Sequence, residues 1–138
     1  NVISNLNCSD RLNLRLTNST MYSAVTRIDL HVETIVIEKD NDSLTVKYGD
    51  DFILNANLKN DDEIQRLLEP KTMIFRRAFA SRVILALDSS DDNTLNIVNR
   101  LLEGCIVDSL DYCSFSAEID ERICSFLSNF NTGEITLF

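Results

Sequence analysis

The chain has 138 residues, a hydrophobic share of 44%, a formal net charge of −9 and a pI near 4.5. That apolar content fills the core of one domain, or of one domain and a fragment of another, and excludes wholesale disorder. An acidic chain of this kind lacks the basic face that a nucleic-acid groove needs, disfavours anionic membranes, and has no run near the about 18 apolar residues of a membrane span.

No charged-then-apolar signal segment is read at the start. The first residue is Asn1 rather than Met, so the chain is expected to be a mature or excised fragment with something upstream. Residues 1–26 read as helical. Val2, Ile3 and Leu6 end a first apolar stretch, Ser9 is an N-cap candidate and Asp10 stands in the first turn. Leu12 and Leu16 share one face, while Leu14, Met21 and Val25 form a second stripe.

Residues 33–58 read as strands. Ile35 and Ile37 alternate with polar residues, Lys39-Asp40-Asn41-Asp42 has turn chemistry, and Leu44, Val46 and Tyr48 alternate again. Gly49-Asp50-Asp51 breaks the run before Phe52, Leu54 and Ala56. The pattern predicts an antiparallel meander with one buried face.

Residues 61–80 read as helical with a break at Pro70. A short helix ends at Leu68, and a second begins at Pro70 and carries Met73, Ile74, Phe75 and Phe79. From residue 81 onward, strands and helices alternate. Val83–Leu87, Asp108–Tyr112 and Gly133–Leu137 fall into register at 25 residues, aligning Leu85 with Leu110 and Ile135, and Leu87 with Tyr112 and Leu137. Leu95-Ile97-Val98-Leu101-Leu102 and Ile119-Ile123-Phe126-Leu127 supply the helical faces between them. A fixed strand–helix period predicts a stacked repeat with parallel neighbouring strands.

The candidate chemistry is sparse. His31, the single histidine, lies between Leu30 and Val32 with no nucleophile motif and no second histidine, and reads as a strand or surface residue. The clusters Asp40-Asn41-Asp42, Asp50-Asp51, Asp61-Asp62-Glu63 and Asp91-Asp92 lack calcium-loop spacing and read as turns and helix starts. Asp88 reads as a turn residue leading to a helix capped near Asp92 or Asn93, and Arg76, Arg77 and Arg82 form the one basic cluster. Cys8, Cys105, Cys113 and Cys124 contain no CxxC pair and read as reduced thiols of a cytoplasmic or nuclear protein. The sequons at Asn7, Asn18 and Asn41 would matter only in a secreted chain. No nucleophile, base and orienting group assemble into an enzyme, and no cofactor is implied.

Leu6-Asn7-Cys8-Ser9-Asp10-Arg11-Leu12-Asn13-Leu14-Arg15-Leu16 resembles the second half of an F-box, whose helix commonly reads Asp-Arg-Leu-x-Leu-Arg. The Leu-Pro that opens an F-box is not within the chain, and Leu16-Thr17 replaces the usual Val-Cys. The remainder is similar to nematode F-box proteins with a strand-rich middle and leucine-rich helix–strand units. Arg100–Cys105 with Ser109-Leu110, and Phe126–Phe130 with Glu134–Leu137, look like such units.

The resemblance implies an α+β protein. A partial helical F-box spans residues 1–30, and an antiparallel strand meander leads into a short leucine-rich-like α/β repeat over residues 31–138. It implies a substrate-recognition subunit of an SCF-type E3 ubiquitin ligase, joined through a Skp-type adaptor to a cullin scaffold. Leu6, Leu12, Leu14 and Leu16 would contact the adaptor, with Asp10, Arg11 and Arg15 beside them. The alternatives are an α/β repeat interaction module with no ubiquitin link, or a secreted binding domain.

Overall fold

The computed structural model describes residues 30–50, 52–69, 78–88, 91–114 and 121–138. The expected F-box positions Leu6, Asp10, Arg11, Leu12, Leu14, Arg15 and Leu16 lie outside them, as do Cys8, Met73, Ile74, Phe75, Arg76, Arg77 and Ile119. The described residues form a mixed α/β structure. Its elements are β1 (Leu30–Asp40), β2 (Ser43–Tyr48), β3 (Phe52–Asn57), α1 (Asp61–Leu67), β4 (Ala78–Leu87), α2 (Asp92–Leu101), β5 (Ile106–Ser114), α3 (Glu121–Leu127) and β6 (Asn131–Leu137). All six strands belong to one sheet, in the order β3-β2-β1-β4-β5-β6.

The meander forms where the alternation predicts it. β1, β2 and β3 pair antiparallel, with Ile37 opposite Val46 and Val46 opposite Leu54. Asn41 takes φ 55°, a left-handed conformation that Asn tolerates better than most residues, and so closes the two-residue turn between Asp40 and Ser43. Ile35, Ile37, Leu44, Val46 and Tyr48 all turn to the buried face.

β1 also pairs with β4, in parallel, and β4–β5 and β5–β6 continue in parallel. Meander and strand–helix units therefore share one sheet. The core rows are Ile35–Val83–Leu110–Ile135 and Ile37–Leu85–Tyr112–Leu137. This corrects the expected uniform 25-residue register. The interval is 25 from Leu110 to Ile135 but 27 from Val83 to Leu110, so Leu85 sits beside Tyr112 and not beside Leu110. A shift of two residues leaves every side chain on the same face, so hydrophobic alternation does not detect it.

α1 is short because it starts and stops on local signals. The Asn60 side chain accepts from the N–H groups of Asp62 and Glu63, at 3.1 and 3.3 Å. The helix ends with Leu68 as its C-cap, as the Glu69-Pro70 step predicts. The second expected helix is overturned at its far end, since Ala78, Phe79 and Ala80 belong to β4. Phe79 lies four residues after Phe75, which mimics a helical face, but pairing of β4 between β1 and β5 overrides that local spacing. α2 is capped by Asp91, one or two residues earlier than expected. Its carboxylate accepts from the Thr94 N–H at 2.8 Å.

Leu95, Ile97, Val98 and Leu101 of α2 with its C-cap Leu102, and Ile123, Phe126 and Leu127 of α3, join the inward strand residues in one apolar core. Each such side chain contributes about 1.5–3 kcal/mol on burial. Gly104, at φ 81°, turns the chain from the end of α2 into β5, a conformation most other residues resist. On β6 the inward row thins: Ile135 and Leu137 remain 39% and 47% exposed.

Candidate functional site: the outward face of the sheet

The helices and the buried strand residues share one core, so the opposite face of the sheet is the one left open among the described residues. Its pattern is the same on three neighbouring strands. On β1, Val32, Ile35 and Ile37 are buried, while Glu33, Thr34 and Val36 are not. On β4, Ala80, Val83 and Leu85 are buried around Ser81, Arg82 and Ile84. On β5, Val107, Leu110 and Tyr112 enclose Asp108 and Ser109.

A straight strand buries every second residue. Here the first interval is three, so two consecutive residues on each strand are turned outward. The pairing matches this. The ladders run through Val32–Ala80–Val107–Thr132 and Thr34–Arg82–Ser109–Glu134, and the row between them, Glu33–Ser81–Asp108–Gly133, is left out. The strands bend together along one line. At Gly133 the approach is close, since a Cβ there would stand 3.1 Å from the Asp108 carbonyl oxygen.

Three zones follow along this face. Its centre is Val36, Ile84 and Ala86, half-buried and apolar. Beside them Arg82 donates through its guanidinium to the Asp111 carboxylate, which is thereby covered although it points away from the core. Toward the antiparallel edge, Lys47 meets Glu38 at 3.8 Å, and Thr45 Oγ1 donates to Asn55 Oδ1 at 2.9 Å. The Lys47–Glu38 pair is well exposed on both sides and worth at most about 1 kcal/mol.

The third zone is the N-terminal edge of the parallel strands. His31 stacks on Phe79 with ring centroids 5.2 Å apart and planes 16° from parallel. With Glu33, Ser81, Ile106 and Asp108 they line a shallow concavity of about 330 Å³. His31 is thus an exposed strand residue, as expected, and it stands in a surface depression.

A larger concavity, about 610 Å³, opens at the turns that follow α2 and α3, between Arg100, Glu103, Cys105, Asn129 and Phe130. Its lining includes Glu103 and Cys105 but no histidine and no serine. Among the described residues no three of His, Cys, Asp or Glu gather to hold a metal ion, and Cys105, Cys113 and Cys124 are free thiols. No helix there is long and apolar enough to cross a membrane.

Asp88 is more than a turn residue. Its carboxylate accepts from Lys39 Nζ at 3.0 Å and from the Asn41 N–H at 2.7 Å, tying the end of β4 to the β1–β2 turn. The Lys39 side chain is only 6% exposed. Arg82, of the expected basic cluster, stands on β4 and neutralises Asp111 on the outward face.

Sequence reading by itself overlooks the outward residues Glu33, Thr34, Val36, Ser81, Ile84 and Asp108. A signal for them is present. Val32-x-x-Ile35-x-Ile37, Ala80-x-x-Val83-x-Leu85 and Val107-x-x-Leu110-x-Tyr112 carry one spacing on three strands. Comparison with known proteins returns no matching family model, no matching curated protein and no matching solved structure.

Proposed function

We propose that this chain is the substrate-recognition subunit of an SCF-type E3 ubiquitin ligase, and that it reads its substrate with the outward face of the sheet. The observation that carries the reading is this open face on parallel strands. Parallel sheets are nearly always covered on both sides, so a face that no described element covers, apolar at its centre and charged at its edges, is a surface suited to a partner. The 1-4-6 spacing of buried residues is that of leucine-rich repeats, in which such strands line a binding surface.

The link to ubiquitin rests on the F-box resemblance of Asp10-Arg11-Leu12-Asn13-Leu14-Arg15. In this reading Leu6, Leu12, Leu14 and Leu16 enter a groove of a Skp-type adaptor, with Asp10, Arg11 and Arg15 at its rim. The chain performs no chemistry. It holds a protein substrate near a ubiquitin-charged enzyme on the cullin scaffold and so raises the effective concentration of the reacting groups. The reading assigns the chain to the cytoplasm or nucleus, and the free thiols support that.

Co-expression of the full-length protein with a Skp-type adaptor tests the proposal. The expected result is co-elution that Leu12→Asp with Leu16→Asp abolishes. Absence of a complex, or a complex indifferent to both substitutions, refutes the ligase role and leaves an interaction module without a ubiquitin link.

A further inference from the structure

Resting on the outward face as a recognition surface, we propose that its partner is a protein segment carrying lysine or arginine, docked along the Glu33–Ser81–Asp108 row with its cation beside the His31–Phe79 stack.

Charge on this face is unevenly satisfied. Its two cations among the described residues are already engaged, Arg82 by Asp111 and Lys47 by Glu38. Of the acidic side chains, Glu33, Asp108 and Glu134 enter no ion pair or side-chain hydrogen bond among the described residues, and all three stand on the bent row or the row next to it. Arg82, the cation nearest in sequence to Ser81, is turned to Asp111 and does not neutralise them. The net −9 of the whole chain adds a long-range pull on a basic partner.

The geometry matches a side chain better than a metal ion. Glu33 on β1 and Asp108 on β5 flank Ser81 on β4 in between. Their backbones are thus about 10 Å apart, two strand spacings. Two carboxylates alone are fewer ligands than a metal site needs, and among the described residues no metal-binding group of three forms. A guanidinium or ammonium above Ser81 lies within side-chain reach of both carboxylates. The exposed edge of the His31–Phe79 stack offers an aromatic surface on which a flat guanidinium packs. The row crosses four strands, a length that suits an extended segment and exceeds what a single small ligand needs.

The test is a titration of the ¹⁵N-labelled full chain with an octapeptide of alternating arginine and serine, beside one of alternating glutamate and serine. The expected result is saturable amide shifts at residues 31–36, 79–84 and 106–109 with the arginine peptide alone. Glu33→Gln with Asp108→Asn should weaken that binding about tenfold, as loss of two partly exposed charge contacts implies. Asp61→Asn with Asp62→Asn removes the same net charge from α1 and should change it by no more than about twofold, because surface charges beyond a Debye length are screened.

Equal weakening by the two double variants reduces the effect to general charge attraction and overturns the proposal. So do the absence of saturable shifts and binding of the glutamate peptide at the same amides. Concentration-dependent shifts of these amides in the chain alone, with a dimer in sedimentation, overturn it in favour of a second copy. Failure here with adaptor co-elution intact removes the basic partner and leaves the ligase reading standing. Loss of adaptor binding does the reverse.

Discussion

Asp91 shows how a single side chain fixes an element. The Thr94 N–H donates to its carboxylate at 2.8 Å and, as the largest cause, holds its pKa below the ordinary value of 3.8. Lys39 and Arg122 act in the same direction, and partial desolvation opposes them. A folded-state pKa below the unfolded value stabilises the fold at pH above the unfolded pKa, and that contribution disappears as pH falls through the lowered one. Asp91→Ala should therefore cost about 1 kcal/mol at neutral pH, measured by urea unfolding, with the difference from wild type shrinking below about pH 4. The sequence reading places this cap at Asp92 or Asn93, one or two residues late, since Asp91, Asp92 and Asn93 are all good caps and only the first helical turn decides. The Lys39–Asp88 pair, 49 residues apart in sequence, carries no local signature at all. Asp88→Ala removes the acceptor for a nearly buried ammonium and for the Asn41 N–H, and should destabilise by about 2 kcal/mol. Chemical denaturation monitored by circular dichroism checks this, and a change under 0.5 kcal/mol contradicts it.

At the scale of elements, the short-range signals were the readable ones. Leu44-x-Val46-x-Tyr48 gives a strand, Asp61-Asp62-Glu63 gives a helix start, and Pro70 gives its limit, all as found. Two misreadings have one cause, which is pairing between distant strands. Ala78-Phe79-Ala80 looks helical until β1 and β5 pair on either side of it. The β4–β5 interval looks like 25 until the ladder sets it at 27. Leu85, fully buried between Ile37 and Tyr112, sits at the centre of the corrected register. Leu85→Ala should cost about 2–5 kcal/mol. Leu87 is also buried, whereas Leu137 at the open end of the same row as Leu85 is half exposed, so Leu137→Ala should cost under about 1.5 kcal/mol. Paired melting curves separate the two. Equal losses would mean that the stack is closed over β6, contrary to the exposure of Ile135 and Leu137.

Over the whole molecule, one asymmetry organises the account. Among the described residues, a six-stranded sheet is packed by helices on one side, while its other face, apolar at the centre and charged at the edges, is covered by no described element. The mixed α/β class was legible because amphipathic periodicity is local. The face that makes it a candidate recognition surface was not, because its cleft joins residues from β1, β4 and β5 and its cations are neutralised across strands. Leu6 to Leu16 lie outside the described residues, and the proposed adaptor docking and the proposed substrate reading each have their own experiment. The most direct test of the recognition face is site-specific photo-crosslinking in cells with proteasomal degradation blocked. A photoreactive amino acid is placed at Ile84 on the outward face, or at Gln65 or Asn96 on the solvent side of α1 and α2. The account predicts a discrete crosslinked protein from Ile84, reduced by Glu33→Gln with Asp108→Asn, and none of that species from Gln65 or Asn96. The same species captured equally from all three positions, or from the helices alone, would contradict it.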